Sequence, residues 1–166
     1  MKHKNRDKFR KRLDSMFTNI PEVKDDSIQG TTYLHSVWSK HLCVLVSGYL
    51  EQSMKELVFE FCDSAASPHV YRYVEKTWPK SKNMRWEQVT KVISNLNEEW
   101  GHNVNAWFEN NDSRKSELNS LIQWRNDISH GKDANTNHLS IPKVQKHYQT
   151  IKLLVDHLEE LLQLNK

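Results

Sequence analysis

Apolar residues recur at helical spacing along almost the whole chain, and no segment alternates strictly between apolar and polar residues as a strand does. The first helical pattern runs from Phe9 to Ile20 and stops at Pro21. A polar loop over residues 24–30, closed by Gly30, is predicted to follow it. The pattern therefore predicts an amphipathic first helix that a loop separates from the rest of the chain.

The central segment, residues 32–62, carries two apolar stripes on nearly opposite faces of the helix that it predicts. At about 100° per residue, Leu42 lies on one stripe, and Cys43 and Met54 lie on the other. The stripes overlap over residues 42–50, where the helix is apolar on all sides. A helix of this kind is sandwiched between two layers, which are two neighbouring helices or one helix and a second subunit. A homodimer contact is therefore one hypothesis for this segment.

Proline, glycine and clusters of capping residues divide the rest of the chain into further helical patterns. They predict a short helix at residues 69–76, a helix at 86–100, and a short apolar piece at 104–108 after an interruption at Gly101-His102. A further helix starts at the capping cluster 110–113 and stops at Gly131, and the last helix opens at Ser140 and Pro142. Four glycines and four prolines are too few for a many-stranded sandwich or barrel. The predicted fold is all-α, a bundle of four to five helices with short accessory helices.

Length and composition limit the class of protein. A chain of 166 residues suits one domain of ordinary size. No run of about 18 apolar residues exists that could span a bilayer, and residues 1–8 lack the apolar segment of a secretory signal. Cys43 and Cys62 lie within apolar segments at no metal-ligand spacing, so buried free thiols are expected. These features predict a cytoplasmic protein with no membrane contact.

The net charge of +3 is unevenly distributed along the chain. Residues 1–12 hold seven Lys or Arg and one Asp, so they carry +6 and the remainder of the chain carries −3. This segment is either a solvated tail or an arm that contacts the RNA backbone. In the second case the RNA-binding residues are Lys2, Lys4, Arg6, Lys8, Arg10, Lys11 and Arg12. The predicted division is a basic N-terminal arm with its amphipathic helix at residues 1–28 and a bundle domain at 29–166.

Arg125 breaks the apolar pattern of the helix predicted over residues 113–130. It lies at the centre of the stripe to which Leu118, Leu121 and Ile122 belong. A guanidinium there is costly unless it is paired or faces a wet cleft. The alternatives are a structural ion pair, a long side chain that reaches the surface, or a functional cleft or dimer seam.

His130 lies in the last turn of the same helix, where Asn126 shares its face. An imidazole at this helix end reaches solvent and is suited to acid-base chemistry. On a regular helix, however, Arg125 and His130 are about 140° apart. A common site for both residues requires a departure from helical geometry at the helix end, or a second protomer.

The segment Arg125-Asn126-Asp127-Ile128-Ser129-His130-Gly131 resembles the Arg-(polar)-x3-His signature of HEPN domains, and most closely the RiboL-PSP-like subfamily. The upstream segment Gly48-Tyr49-Leu50-Glu51 and the Trp100-Gly101 pair are also similar to those proteins. The resemblance covers about residues 30–162. It implies a HEPN-like helical bundle.

The resemblance also implies a homodimeric, metal-independent endoribonuclease in which two copies of the motif converge across a dimer cleft. By this analogy the catalytic residues are Arg125, Asn126 and His130. His130 handles the proton of the ribose 2′-hydroxyl or of the leaving 5′-oxygen, Arg125 stabilises charge on the phosphate, and Asn126 orients one of them. Glu51, which lies between the two stripes of the central helix, is a supporting candidate to pair with Arg125. Lys132 is an additional candidate for RNA binding.

Two functions from different classes follow from the sequence. The first is a ribonuclease that acts as a toxin or antiphage defence effector, with RNA as substrate and an antitoxin or defence-complex protein as a possible partner. The alternative is a non-catalytic HEPN-like module that dimerises or binds nucleotide or a partner protein. In that case Arg125 is a structural ion-pair residue and His130 is a helix cap. No cofactor is expected, and the nine histidines show no metal-ligand spacing.

Overall fold

In a computed structural model, the described residues, 4–20, 28–78 and 83–163, form seven α-helices, one turn of 3-10 helix and no strand. The helices are α1 (Lys4–Asn19), α2 (Ile28–Ala65), α3 (Pro68–Thr77), α4 (Trp86–Ser94), α5 (Glu98–Glu109), α6 (Asp112–Ser129) and α7 (Ile141–Gln163). The 3-10 turn, Asp133–Asn135, lies between α6 and α7. The all-α prediction is therefore confirmed.

The 38-residue helix α2 is the centre of the bundle. On one side, the Tyr49 ring meets Phe9 of α1 and Tyr148 of α7 edge to face, at centroid separations of 5.8 and 6.1 Å. On another side, the Cys43 thiol donates to the Leu121 carbonyl of α6 across 3.7 Å. The sandwich predicted from the two apolar stripes is therefore made within one chain, by helices on both sides of α2.

The first helix is a layer of this bundle. Leu13 is fully buried, and Phe17 stacks on Tyr148 of α7 at a centroid separation of 5.1 Å. The amphipathic helix predicted from Phe9 to Ile20 is confirmed. The segment predicted as an N-terminal arm thus contributes a helix to the hydrophobic core.

The single helix predicted at residues 86–100 is wrong, because two helices, α4 and α5, occupy this part of the chain. Asn97 caps α5 by accepting hydrogen bonds from the backbone amides of Glu99 and Trp100. Gly101, predicted to interrupt a helix, is buried inside α5. A Cβ at this position would lie 1.8 Å from the Ser94 hydroxyl, so glycine here permits close contact between α4 and α5.

The predicted loop over residues 24–30 is also corrected where the structure describes it. Helix α2 starts at Ile28, so Gly30 lies in its first turn and does not close a loop. Residues 24–27 lie outside the described residues. Glycine was a misleading signal here because a helix tolerates it at the cost of some backbone entropy.

The ends of α6 follow the sequence signals. The Asn111 side chain accepts from the Ser113 amide at 3.0 Å, which satisfies one of the free donors of the first turn. At the other end Gly131 takes a φ of +66°, a left-handed conformation that favours glycine. The short helix predicted at residues 69–76 and the last helix are likewise present as α3 and α7.

Both cysteines are buried and free, as predicted. Desolvation raises the pKa of the Cys43 thiol to about 12. Among the described residues, no helix combines the length and the apolar character needed to cross a membrane.

Candidate active site

Arg125 lies on the inner side of α6, where its neighbours on the apolar stripe, Leu118, Leu121 and Ile122, are buried. The Arg125 side chain is half-buried and donates from Nη1 to Oδ1 of Asn126 at 3.2 Å. Among the described residues it forms no ion pair with a carboxylate. A half-buried guanidinium without a carboxylate partner can accept an anion at lower cost than one already neutralised.

His130 is the C-cap residue of α6 and is exposed. Its backbone angles, φ −99° and ψ 9°, depart from helical values. Its amide donates to the Asn126 carbonyl at 3.0 Å. The helix ends at His130, and among the described residues no hydrogen bond joins its side chain to that of Arg125.

Asp127 stabilises the turn that contains His130. This carboxylate is buried, accepts a hydrogen bond from the side-chain amide of Gln123 at 3.1 Å, and lies 3.8 Å from the ammonium of Lys132. The Lys132 amide also donates to the Asp127 carbonyl, at 2.8 Å. Asp127 thus contacts the chain on the far side of His130 through both its backbone and its side chain. The place of Asp127 inside the motif, five residues before a lysine, is a signal in the sequence from which this role could have been predicted.

The loop after the motif is tied to α2, because Lys40 donates to Asp133 at 2.7 Å. Lys40, which is half-buried, shares a face of α2 with the exposed residues Tyr33, Val37 and Val44, at spacings of i, i+4, i+7 and i+11. Three of the four are exposed large apolar side chains. We call the four residues the α2 row; it borders the loop that follows His130.

The sequence matches the family model described as RiboL-PSP-HEPN over residues 7–164. The chain belongs to the RiboL-PSP-HEPN family. Comparison with curated proteins and with solved structures gave no match. The match begins within α1 and covers α2 to α7 completely.

The pairing of Glu51 with Arg125, suggested by the position of Glu51 between the two apolar stripes, is not formed among the described contacts. The contacts of Cys43 with Leu121 and of Lys40 with Asp133 show that α2 and α6 are antiparallel. Arg125 therefore lies on the Lys40 side of the contact with Cys43, whereas Glu51 lies two turns away on the other side. The axial separation is about 18 Å, which is too long for these two side chains.

The contacts of Arg6 and Arg10 argue against the prediction that they bind RNA. Arg6 is only 2% exposed, and its guanidinium lies 2.9 Å from Glu159 and 3.6 Å from Glu60. Arg10 forms a two-pronged ion pair with Asp156. Both cations are held by carboxylates of the bundle, so they are structural residues of this HEPN domain.

The other residues predicted to contact RNA differ in their exposure and in whether the structure describes them. Lys8, Lys11 and Arg12 are exposed on α1, and among the described residues they take part in no ion pair. Lys132 is 58% exposed beside the motif. Lys2 lies outside the described residues, and so does the side chain of Lys4, the first residue of α1. For these residues RNA binding stays a prediction.

Proposed function

We propose that this HEPN protein is a metal-independent endoribonuclease whose catalytic residues are Arg125, Asn126 and His130. The observation that carries the proposal is Arg125 itself. Its guanidinium sits on an apolar stripe, donates to an uncharged amide, and has no carboxylate partner among the described residues. Such a cation, on the same helix as an exposed imidazole five residues further on, is suited to bind a phosphodiester.

In the proposed reaction the ribose 2′-oxygen attacks the adjacent phosphorus and the bond from phosphorus to the 5′-oxygen breaks. The 2′-hydroxyl loses its proton to a base, and the leaving 5′-oxygen gains a proton from an acid. His130 performs one of these transfers. Arg125 stabilises the negative charge that builds up on the phosphate oxygens, and Asn126 holds the guanidinium through its Oδ1. The products are a 2′,3′-cyclic phosphate and a 5′-hydroxyl.

We propose that two copies of the chain assemble the site. The α2 row supports this, because it exposes Tyr33, Val37 and Val44 to 70%, 45% and 36% on the surface that borders the motif loop. Apolar side chains gathered on one exposed face are typical of interaction surfaces. A second copy docked there brings its own His130 towards Arg125, which supplies the second proton transfer.

The test is cleavage of single-stranded RNA in EDTA by the parent protein and its variants. Arg125→Ala is expected to slow cleavage about 100- to 1,000-fold, and His130→Ala about 100- to 10,000-fold. Arg125→Lys, which keeps the charge but loses the planar donor fork, should recover only part of the rate. His102→Ala, which removes an exposed histidine on α5, is the matched control and should cleave like the parent.

The requirement for a 2′-hydroxyl nucleophile provides a second test of the proposed reaction. RNA with a 2′-deoxyribose at the cleavage position should resist cutting, because it lacks the nucleophile. Intact RNA under several conditions, or cleavage by His130→Ala at the parent rate, would reject the enzyme in favour of the non-catalytic dimerisation or nucleotide-binding module. Light scattering that gives a mass near 19.7 kDa at working concentration would reject the composite site.

The biological role that we propose is that of a toxin or antiphage defence effector that a partner protein restrains. An unrestrained ribonuclease would slow growth when its gene is induced, and both Arg125→Ala and His130→Ala should relieve that effect. Growth that is equally slow with the parent and the two variants would argue against this role.

A further inference from the structure

A cleft of about 530 Å³ opens between α3, α4 and the C-terminal half of α2, and none of its lining residues belongs to α6 or α7. Its volume is within the range of sites for small organic ligands. Tyr73 and Trp78 form one wall, Gln88, Lys91 and Asn95 form the opposite wall, and valine and leucine side chains lie between them. We call this the α3–α4 cleft.

The aromatic wall of the cleft contains one ring, that of Tyr73, that packs on no other ring among the described residues. Trp78 packs edge to face on Phe59 of α2 at a centroid separation of 5.5 Å, and Tyr71 does the same at 5.8 Å. Tyr73 is 68% exposed and has no such ring partner among the described residues. An exposed ring on the wall of a cleft offers a surface on which a flat heteroaromatic group can stack.

The opposite wall, formed by α4 and its C-cap residue, carries three polar side chains on one helix face. Gln88, Lys91 and Asn95 stand at i, i+3 and i+7, so they share one face of α4. The two amides carry both donors and acceptors, which match the mixed edge of a nucleobase. The ammonium of Lys91 is exposed and takes part in no ion pair among the described residues, so it can meet a phosphate.

Nearby cations favour the same ligand. Arg72 and Lys76, both on α3, are exposed and likewise form no ion pair among the described residues. Arg6 and Arg10 of α1, in contrast, are neutralised by carboxylates of α2 and α7. On the α3–α4 side of the bundle Arg72, Lys76 and Lys91 are available to a polyanion, and the exposed carboxylates of Glu75 and Glu87 on the same two helices reduce the net positive charge.

We propose that the α3–α4 cleft binds one unpaired nucleotide, with its base stacked on Tyr73 and facing the amides of Gln88 and Asn95, and with a phosphate held by Lys91. The shared chemistry is a nucleobase with a phosphate, which either a single-stranded RNA or a free nucleoside monophosphate can supply. The assignment of the strand as the RNA that is cut at α6 rests on the proposed function. Binding to the cleft itself does not depend on cleavage.

The experiment measures equilibrium binding of a fluorescent single-stranded RNA of about 12 nucleotides to the full chain carrying His130→Ala. Tyr73→Ala is expected to weaken binding about tenfold or more, the loss that follows removal of one stacked base. Tyr73→Phe keeps the ring and should bind within about twofold of the parent. Lys91→Gln should weaken binding and lower the slope of log affinity against log salt by about one. Val70→Ala, on the same helix but not part of the cleft lining, is the matched control.

Competition with nucleoside monophosphates separates the two sources of the ligand. If they displace RNA from the chain carrying His130→Ala and Tyr73→Ala weakens their own binding, the cleft takes free nucleotide. If they do not compete while Tyr73→Ala still weakens RNA binding, the cleft takes a strand. The proposal is overturned if Tyr73→Ala and Lys91→Gln bind RNA as Val70→Ala does. That result would not affect the proposal that the parent cleaves RNA. Conversely, a failure of the parent to cleave RNA would not change these binding constants.

Discussion

Arg6 on α1 donates to Glu159 on α7 at 2.9 Å, although the two residues are 153 positions apart in the chain. The guanidinium is buried, and Glu60 of α2 lies 3.6 Å from it on another side. The first, second and last helices of the family fold therefore meet at one cation. The contact explains why a residue from the most basic part of the sequence has a structural role.

Replacement of Arg6 tests that role. Arg6→Ala should lower the free energy of unfolding by about 2–3 kcal/mol, because it leaves partly buried carboxylates without their cation. Lys8→Ala, an exposed substitution on the same helix, should change stability by less than about 0.5 kcal/mol. Urea unfolding monitored by tryptophan fluorescence measures both. Equal effects of the two substitutions would show that the Arg6 contacts contribute nothing specific.

Replacing two helical glycines by alanine is expected to change the stability of the protein in opposite directions. Gly101→Ala should destabilise the protein by about 1–3 kcal/mol, because the added Cβ would lie 2.9 Å from the Cα of Ser94 as well as against its side chain. Gly48→Ala should be neutral or stabilising by up to about 1 kcal/mol, since the nearest atom, on Phe9, is 3.9 Å from the new methyl group. Unfolding midpoints of the two variants should therefore move apart. A Gly101→Ala protein as stable as the parent would mean that α4 and α5 are not in close contact.

The turn after His130 depends on a left-handed glycine. Gly131→Ala should cost about 1 kcal/mol, because a Cβ disfavours a φ of +66° even though no atom lies within 4 Å of it. Gly131→Asn should cost less, since asparagine tolerates this conformation better than alanine. Thermal unfolding of the three proteins ranks them, and alanine ranking above asparagine would contradict the structure.

Stability should fall in mild acid because of two imidazoles, that of His147, which is buried, and that of His157, which is half-buried. Desolvation lowers the pKa of His147 and of His157 below the ordinary value of 6.5. Below about pH 6.5 the unfolded chain binds protons that the folded chain cannot, so the free energy of unfolding decreases as the pH falls. Around His147, Glu117 acts to raise its pKa, and Lys146 and Lys143 act to lower it.

The measurement compares urea unfolding at pH 7.5 and at pH 5.5, with both values chosen to bracket the ordinary histidine pKa of about 6.5. His147→Asn, which keeps a donor for the Lys143 carbonyl, should lose less stability between the two pH values than the parent. His102→Asn, at an exposed position, should lose as much as the parent. An unchanged pH dependence in His147→Asn would exclude His147 as a cause.

The site was recognised from its motif in the sequence, because Arg125 interrupts an apolar stripe and His130 stands at a glycine-terminated helix end. Periodicity could not show what surrounds them. The antiparallel arrangement of α2 and α6 separates Glu51 from Arg125 and brings Lys40 to Asp133. The roles of Asp127 and of the α3–α4 cleft likewise depend on which helices are neighbours.

The sequence by itself determined the all-α class, the extents of α3 and α6, and the presence of α1, α2 and α7. These follow from apolar spacing and capping residues, which act over a few positions of the chain. Only the tertiary structure decided that Gly101 sits at a close helix contact and that Arg6 and Arg10 are neutralised by carboxylates of α2 and α7. Such contacts join residues far apart in the chain, and a charge or a glycine looks the same in the sequence whether solvent or another helix faces it.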